Sequence, residues 1–186
     1  MIALYIVIGF VSGSIPYGVI IAQRFDTDLR QHGSGNIGAT NAARVLGPTI
    51  GAIVLVLDAV KGAIPTLLAV GTDDTTIAAT GFAAITGHCF SPWLRFRGGK
   101  GVATALGVFL VIAPVITLLG VAVFGLVFAT VRIVAIGSLA AAAAIATLLV
   151  FLRGTEYGVL GVATFLLLVY THRSNLLGLA SSTRSR

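Results

Sequence analysis

Six long apolar runs, separated by short polar segments, restrict this sequence to folds that a membrane can hold. The runs cover Ile2–Gln23, Thr49–Gly71, Thr75–Phe90, Gly101–Val131, Ile133–Leu152 and Tyr157–Tyr170. A helix needs about 20 apolar residues to cross the hydrocarbon core of a bilayer. Charged residues make up only 10% of the 186 residues, too few to cover the surface of a soluble protein of this size. The sequence therefore predicts an all-α integral membrane protein with a single domain over residues 1–186.

The fourth run, Gly101–Val131, is too long for one span, and Pro114 favours a turn between two helices near Ile112–Pro114. Charge sidedness then decides between six spans and seven. Seven spans with an outer N-terminus gather ten basic residues on one side: Arg24, Arg30, Arg44, Arg95, Arg97, Lys100, Arg132, Arg173, Arg184 and Arg186. Six spans would divide the basic residues seven to four. Because basic residues favour the cytoplasmic side, we predict seven transmembrane helices, an extracytoplasmic N-terminus, a cytoplasmic C-terminus and some short or tilted helices.

The charge balance excludes other classes of protein. A net charge of +6 would suggest nucleic-acid binding in a soluble protein. Here the basic residues stand between apolar runs and mark membrane sidedness, so we expect no nucleic-acid partner.

The single cysteine, Cys89, excludes an intrachain disulfide and a multi-cysteine metal site. The first run lacks the basic segment of a cleaved signal peptide, and we expect it to be retained as a span.

Two pairs of glycines have the four-residue spacing that lets membrane helices approach closely. They are Gly9 with Gly13, and Gly154 with Gly158. We expect both pairs to lie at helix contacts.

The polar segment between Arg30 and Arg44 contains Gly33, Gly35 and Gly38. Glycine allows successive backbone N–H groups to converge on an anion, and a guanidinium fork suits phosphate. Side chains that add donors here are Ser34, Asn36, Thr40, Asn41 and Arg44. The formal G-x-G-x-x-G pattern is not a dinucleotide fingerprint, because no strand precedes it. The segment is either a phosphate-binding loop or a flexible connection between spans.

A second polar segment runs from His88 to Gly101 and ends in Gly98, Gly99 and Lys100. A helix that starts beside a lysine attracts anions. The segment differs from a nucleotide-binding P-loop, because Gly101 and not Ser or Thr follows the lysine. It is either a phosphate site or a basic turn that fixes orientation.

A third polar segment, from Tyr170 to Asn175, contains His172 and Arg173. By itself it is compatible with contact to lipid headgroups or with catalysis. Seven spans place all three polar segments on the cytoplasmic face of the membrane.

Two charged residues, Asp58 and Lys61, stand inside the second apolar run. Their i, i+3 spacing puts them on one helix face. Each costs about 2.5–3.5 kcal/mol at a helix centre, so we expect them to pair or to face a polar interior. A structural pair and a functional pair both remain open.

Several familiar catalytic patterns are missing from the sequence. None of His32, His88 and His172 has an Asp five residues later, as the dyad of the common glycerolipid acyltransferases requires. The sequence has neither a G-x-S-x-G elbow nor an H-E-x-x-H zinc site, and it has no acidic cluster suited to Mg²⁺. We expect no metal and no cofactor. A transferase built this way would align an acceptor with an already activated donor and stabilise the leaving group.

Three motifs resemble those of the bacterial acyl-phosphate:glycerol-3-phosphate acyltransferases, the PlsY family. They are Ser34-Gly-Asn-Ile-Gly-Ala-Thr-Asn-Ala-Ala-Arg44, Gly87-His-Cys-Phe with Phe96-Arg-Gly-Gly-Lys-Gly-Val-Ala-Thr104, and His172-Arg-Ser-Asn175. The segments Gly13–Gly18 and Leu57–Gly62 are also similar to that family. The third motif departs from the family pattern after Asn175: Gly178 occupies the usual basic position, no glutamate follows, and Arg184 or Arg186 is the available substitute.

The resemblance implies a multi-pass enzyme of the bacterial inner membrane, monomeric, with its active site near the cytoplasmic face. It would transfer a fatty acyl group from acyl phosphate to the 1-hydroxyl of sn-glycerol 3-phosphate. The products would be 1-acylglycerol 3-phosphate (lysophosphatidic acid) and phosphate, in the first acylation of phospholipid synthesis. Its partners would be glycerol 3-phosphate, the lipidic acyl phosphate and the bilayer.

Carried over by motif, the resemblance implies two groups of site residues. The catalytic group is Ser34, Lys100, His172 and Asn175. The group that binds substrate and its phosphate is Gly35, Asn36, Gly38, Thr40, Asn41, Arg44, His88, Gly98, Gly99, Thr104 and Arg173. The base that removes the hydroxyl proton is either His172 or a substrate phosphate oxygen, whose second pKa lies near 6. We favour the phosphate, because His172 has no evident carboxylate partner in the sequence.

Two other functions compete with this one. A small transporter for organophosphate anions would also need cationic loops and intramembrane charge. It predicts a polar path through the membrane, for which the sequence offers only Lys61 within a span and Arg153 outside. A non-catalytic protein that binds lipid headgroups explains the basic face but not two glycine-rich loops.

Overall fold

The computed structural model describes the backbone of residues 1–184 and the side chains of residues 1–178. This part of the chain is helical. The α-helices are α1 (Ile2–Ser14), α2 (Tyr17–Gln23), α3 (Ala39–Leu46), α4 (Pro48–Ala69), α5 (Asp74–Cys89), α6 (Val102–Ile112), α7 (Pro114–Val131), α8 (Val134–Leu152), α9 (Thr155–Thr171) and α10 (Arg173–Arg184). A short 3-10 helix covers Pro92–Leu94.

Four segments of the described chain are long and apolar enough to cross a membrane. They are α1 together with α2, then α4, α7 and α8. The helices α6 and α9 are apolar but shorter. The predicted turn near Pro114 is confirmed, because α6 ends at Ile112 and α7 begins at Pro114. A proline removes a backbone donor and disfavours helical geometry at the preceding residue, and Ala113 has φ −149° and ψ 69°.

The first apolar run is interrupted at Ile15 and Pro16, which we call the helix break. Ile15 adopts φ −61° and ψ 120°, and α2 begins only at Tyr17. Pro16 lacks the N–H that would continue the helical ladder. The break leaves backbone carbonyls near the end of α1 available to side chains from elsewhere in the chain. The run as a whole, Ile2–Gln23, is still long and apolar enough to span the membrane, as predicted.

The chain divides into two compact units, Met1–Pro114 and Val115–Arg186. In the first unit, α1 packs on α5, and α4 packs on α3, α5 and α6. These contacts depend on missing side chains: a β-carbon at Gly13 would overlap the Ala84 carbonyl, and one at Gly107 would overlap the Ala59 carbonyl. Small residues of this kind allow helix backbones to approach each other closely.

The second unit is built on the packing of α8 against α9. A β-carbon at Gly158 would stand 3.1 Å from the α-carbon of Val150. The four-residue glycine spacing thus predicts helix contacts at Gly9, Gly13 and Gly158, which are confirmed. The expectation for Gly154 is wrong, because this glycine caps the start of α9 with φ +85° and no neighbour lies closer than 3.9 Å to its ideal β-carbon.

Candidate active site

The segment between α2 and α3, residues 24–38, forms the first loop of the site, and Asn41 at the start of α3 organises it. The Asn41 side chain is 1% exposed. Its Oδ1 accepts a hydrogen bond from the Ser34 N–H at 2.8 Å. Its Nδ2 donates to the carbonyls of Leu29, His32 and Asn36 at 2.8–3.0 Å. One side chain therefore fixes four points of the loop backbone.

Two further features shape the first loop. Gly33 and Gly35 have φ of +61° and +71°, a region that residues with a β-carbon rarely adopt. The Asn36 Oδ1 accepts a hydrogen bond from the Gly38 N–H at 2.9 Å, the local turn that asparagine favours. Leu29 and Ile37 are buried and attach the first loop to the rest of the first unit. These hydrogen bonds fix the backbone of the segment, so they do not fit the alternative of a flexible connection between spans.

Arg30 is held in the first loop by a local ion pair with Asp28. The Arg30 Nε and Nη2 donate to the two carboxylate oxygens at 2.9 Å. The hydrogen bonds from Arg30 lower the pKa of Asp28 to about 2. The carboxylate therefore stays charged at neutral pH and keeps the guanidinium oriented.

The second loop, residues 90–101, is anchored on the helix break. The Ser91 hydroxyl donates to the Ser14 carbonyl at 2.6 Å, and the Trp93 indole N–H donates to the Ser14 hydroxyl at 2.9 Å. The carbonyl at the end of α1 thus gains a partner in a loop far away in sequence. The break in the first apolar run gives the second loop its attachment.

The glycines of the second loop lie on the end of α5. The N–H groups of Gly98 and Gly99 donate to the carbonyls of Cys89 and His88 at 3.0 and 3.1 Å. A β-carbon at Gly99 would overlap the Nε2 atom of His88. Only glycine therefore lets the loop lie flat on the buried imidazole, one residue before Lys100.

Lys100 of the second loop interacts electrostatically with Arg44 of α3. Burial lowers the pKa of Lys100 below its usual 10.5, and the positive charge of Arg44 lowers it further. Arg44 also lies 3.5 Å from the Asn41 side-chain oxygen. The two cations that the family motifs assign to phosphate thus repel each other in the folded chain.

A cavity of about 770 Å³ lies between the two loops. Its lining residues are Arg30, Gly35 and Ile37 from the first loop, and Trp93, Leu94, Arg95, Arg97 and Gly98 from the second. Three of these are arginines and none is acidic. Such a lining attracts anions, and guanidinium groups bind phosphate oxygens in pairs.

The third polar segment belongs to the second unit. His172 is 3% exposed, and its Nδ1 lies 2.8 Å from the Leu168 carbonyl. Donation from Nδ1 to this carbonyl leaves the lone pair on Nε2. Arg173 stacks on Tyr170, with 4.1 Å from its guanidinium carbon to the ring centroid. The Asn175 N–H donates to the His172 carbonyl at 2.9 Å.

Comparison with known proteins identifies the family. Residues 3–182 match the family model described as glycerol-3-phosphate acyltransferase. The chain belongs to the glycerol-3-phosphate acyltransferase family. A glycerol-3-phosphate acyltransferase of Myxococcus xanthus is 47% identical over 191 residues, covering all of both chains. One from Geobacter sulfurreducens is 42% identical over 185 residues, covering 96% of this chain and 94% of the relative.

Two crystal structures of PlsY, an integral membrane glycerol 3-phosphate acyltransferase, share this fold. The glycerol 3-phosphate form has a TM-score of 0.93 and 35% identity, and the lysophosphatidic acid form has a TM-score of 0.91 and 34% identity. Each comparison covers 97% of this chain and 92% of the solved chain. The resemblance inferred from the motifs is confirmed, as is the integral membrane fold. Membership of the acyltransferase family supports an enzyme over the alternative of a transporter.

Some of the predicted site residues of this acyltransferase are exposed and others are buried. Ser34, Thr40 and Arg44 are exposed. Asn41, His88 and Thr104 are buried, and so is His172 in the second unit. The side chains of Arg184 and Arg186 lie outside the described residues. The roles of all these residues in this acyltransferase stay predictions.

The acyltransferase carries its intramembrane charges as a cluster with His88. The Lys61 Nζ lies 2.8 Å from Asp58 Oδ1 and donates to the Ile15 carbonyl at 2.6 Å. The His88 Nδ1 lies 3.7 Å from the same Asp58 oxygen. The predicted pairing of Asp58 with Lys61 is confirmed. The third member, His88, was beyond sequence reasoning because it comes from another helix.

Sequence reasoning also left Arg30, Arg95 and Arg97 without a role in the acyltransferase. They were counted only as markers of membrane sidedness, whereas all three line the cavity between the loops. The signal available in the sequence was their position beside the two glycine-rich motifs. Arg95 and Phe96 also adopt positive φ, +53° and +61°, which turns the chain between the two parts of the second motif.

Proposed function

We propose that this chain transfers a fatty acyl group from acyl phosphate to the 1-hydroxyl of sn-glycerol 3-phosphate. The products are 1-acylglycerol 3-phosphate and inorganic phosphate. The family assignment supports the acyl acceptor, since related PlsY structures are of the glycerol 3-phosphate and lysophosphatidic acid forms. The choice of acyl phosphate as donor rests on the resemblance of the three motifs to the acyl-phosphate-dependent family, and the absence from the sequence of the His–Asp dyad fits this choice.

The observation that supports this proposal is the cavity of about 770 Å³ between the two loops, whose lining has three arginines and no acidic residue. Both reactants carry phosphate, so a site that binds them together needs several cations. Arg30, Arg95 and Arg97 supply charge around the cavity. Guanidinium and ammonium donors in a partly desolvated site bind phosphate oxygens more strongly than they do in water.

We assign the phosphates to Arg44 and Lys100, and we assign to Gly35, Gly38, Gly98 and Gly99 the shape of the two loops around them. Ser34 and Asn36 of the first loop and Thr40 of α3 contact substrate, and the buried Asn41 of α3 holds the first loop in shape. His88 of α5 and Thr104 of α6 support the glycines of the second loop. The third motif assigns His172, Arg173 and Asn175 to the orientation of glycerol 3-phosphate.

The donor is already activated, so the protein needs no covalent nucleophile. The 1-hydroxyl oxygen attacks the acyl carbonyl carbon, a C–O ester bond forms, and the bond from that carbon to the phosphate oxygen breaks. The hydroxyl proton passes to a substrate phosphate oxygen, whose second pKa near 6 suits a base at neutral pH. Lys100 and Arg44 stabilise the charge on the departing phosphate.

We also propose seven spans, formed by α1 with α2 and then by α4, α5, α6, α7, α8 and α9. The N-terminus lies outside and the C-terminus in the cytoplasm, which puts both loops on the cytoplasmic face of a bacterial inner membrane. The positive-inside rule supports this orientation. We propose that the enzyme works as a monomer, because both loops and the cavity between them come from one chain.

The test is phosphate release by the purified protein reconstituted in lipid vesicles. Palmitoyl phosphate is the donor, with and without glycerol 3-phosphate, and palmitoyl-CoA is the parallel donor. Formation of 1-acylglycerol 3-phosphate is followed with both donors, because transfer from palmitoyl-CoA would free CoA and not phosphate. With palmitoyl phosphate we expect product formation and phosphate release to require glycerol 3-phosphate and to be lost in Lys100→Ala, and with palmitoyl-CoA we expect no product. Product formed from palmitoyl-CoA at an equal rate, or no phosphate release from folded protein, would overturn the proposal.

The arginines of the cavity need a matched control. Arg24 is an exposed arginine of the same loop that does not line the cavity. A charge-assisted hydrogen bond contributes about 1.5–3 kcal/mol, which corresponds to tenfold or more in affinity. We therefore expect Arg30→Ala and Arg97→Ala each to raise the KM for a phosphorylated substrate about tenfold, and Arg24→Ala to leave it unchanged.

A further inference from the structure

The buried cluster of Asp58, Lys61 and His88 lies directly beneath the second loop. All three residues are less than 5% exposed. Asp58 and Lys61 stand near the middle of α4, and His88 is the penultimate residue of α5. Charged side chains inside a membrane protein are costly, and they mark function unless another reason for them is found.

Packing alone does not account for this cluster. A buried ion pair contributes little net stability, and apolar residues of similar volume often replace one without loss. The pair therefore has a different use, which its contacts indicate. The Lys61 ammonium is shared between Asp58 and the Ile15 carbonyl, and the backbone carbonyl of Lys61 accepts a hydrogen bond from the Ser12 hydroxyl at 2.9 Å. Lys61 thus connects α4 to the helix break.

Asp58 connects the same ammonium to His88. Its Oδ1 lies between Lys61 Nζ at 2.8 Å and His88 Nδ1 at 3.7 Å. The second distance is longer than a hydrogen bond, and the tautomer with its proton on Nδ1 would point an N–H dipole towards the carboxylate. His88 Nδ1 has no hydrogen-bond partner in the described part of the chain, so the carboxylate is the polar group that orients the ring.

The ring of His88 in turn supports the second loop. The Gly99 N–H donates to the His88 carbonyl, and the α-carbon of Gly99 lies against the edge of the ring that carries Nε2. Any rotation of the imidazole would therefore displace Gly99, and with it the next residue, Lys100. A shift of about 1 Å in a group that positions a reacting atom can cost a hundredfold in rate.

We infer that Asp58, Lys61 and His88 are positioning residues that hold the Gly98–Lys100 segment at the depth at which Lys100 meets a phosphate group. The inference rests on the proposed role of Lys100 in binding phosphate. The cluster itself does not touch substrate. It transmits the position of the helix break to the second loop through one ammonium, one carboxylate and one imidazole.

The test separates positioning from stability by removing both charges together. Asp58→Asn alone leaves the Lys61 ammonium unbalanced, so we expect it to destabilise the fold. The double variant Asp58→Asn with Lys61→Met is uncharged, and we expect its Tm in detergent to return close to that of the wild type. Asp26→Asn, the same change at an exposed carboxylate, is the matched control.

The decisive measurement is the affinity for inorganic phosphate, read as the shift of Tm on titration and as the inhibition constant in turnover. We expect the folded double variant and His88→Gln to bind phosphate at least tenfold more weakly, with KM raised in parallel, while Asp26→Asn matches the wild type. A variant that is only destabilised would contain a smaller fraction of active protein, but the affinity of that fraction for phosphate would be unchanged. Unchanged affinity in either folded variant would overturn the inference.

Failure of the proposed function would look different. The wild type would then release no phosphate from palmitoyl phosphate, but the phosphate-dependent shift of Tm would still compare the wild type with the variants. If the double variant does not fold, His88→Gln decides the matter, because it changes neither of the two charges.

Discussion

The side-chain oxygen of Asn41 accepts a hydrogen bond from the backbone N–H of Ser34 at 2.8 Å. The nitrogen of the same amide donates to three loop carbonyls. We expect Asn41→Asp to keep the first interaction and to lose the other three, because a carboxylate is an acceptor only. Each unsatisfied buried group costs about 1–3 kcal/mol. Thermal unfolding in detergent should show a Tm lower by roughly 5–10 °C.

Asn36 provides the control for this prediction. Its Oδ1 only accepts, from the Gly38 N–H, and a carboxylate can do the same. Asn36→Asp should therefore leave Tm close to that of the wild type. Equal losses in the two variants would show that the three donated hydrogen bonds of Asn41 do not hold the first loop.

We expect the Lys100 ammonium to destabilise the folded protein at neutral pH. Its pKa in the folded state is lower than 10.5, because burial and the charge of Arg44 both disfavour the ammonium. The unfolded chain therefore binds the proton more tightly, and stability rises as pH rises from the folded-state pKa towards 10.5. We expect Lys100→Met to have a higher Tm than the wild type at pH 7 and no activity. The difference in Tm should shrink as pH rises through that window.

Arg24→Met controls for the loss of an exposed positive charge, and its Tm should follow that of the wild type at every pH. In an Arg44→Gln background the advantage of Lys100→Met should be smaller, since one of the two causes has been removed. A Tm below that of the wild type for Lys100→Met at pH 7 would contradict this account of the site.

Gly13 should be intolerant of any side chain. A β-carbon there would overlap the Ala84 carbonyl where α1 packs on α5, so we expect Gly13→Ala to lower Tm and the yield of folded protein. Gly125, inside α7, has no neighbour within 4 Å of its ideal β-carbon. Gly125→Ala should gain about 0.5–1 kcal/mol from helix propensity. Thermal unfolding of the two variants side by side tests the contrast, which a loss of stability in both would refute.

The seven-span topology can be tested with single cysteines, because Cys89 is the only one in the sequence and is buried. In a Cys89→Ala background we expect Thr72→Cys, between α4 and α5, to react with a membrane-impermeant maleimide in intact spheroplasts. Gln31→Cys, in the first loop, should react only after lysis. Labelling of Gln31→Cys in intact spheroplasts would reverse the proposed orientation.

Much of the fold follows from hydropathy. The apolar runs predict helix ends to within a few residues for α4, α5 and α8, because a span must match the bilayer. The turn at Pro114 is equally local, since a missing N–H acts on the neighbouring residues. The helix break carries the same signal in Pro16, although hydropathy predicts only that the first run is one span.

The details of the site could not be predicted in the same way. The glycine-rich motifs identify the loops, yet the burial of Asn41 depends on how residues 29–36 fold back over α3. The contact of Asp58 with His88 joins two helices and a loop. Such contacts are decided by packing between distant segments, about which the spacing of residues in one helix says nothing.

The helix break has a consequence for how the enzyme is made. The carbonyls of Ser14 and Ile15 receive Ser91 and Lys61, and all four residues lie within Met1–Pro114. A ribosome inserting this chain delivers the break first and the second loop some eighty residues later, when α1 is already in the bilayer. The order of synthesis thus presents each acceptor before its donor arrives. Both loops, with the residues that anchor them, lie within the first 114 of the 186 residues, so they need no later part of the chain for these attachments.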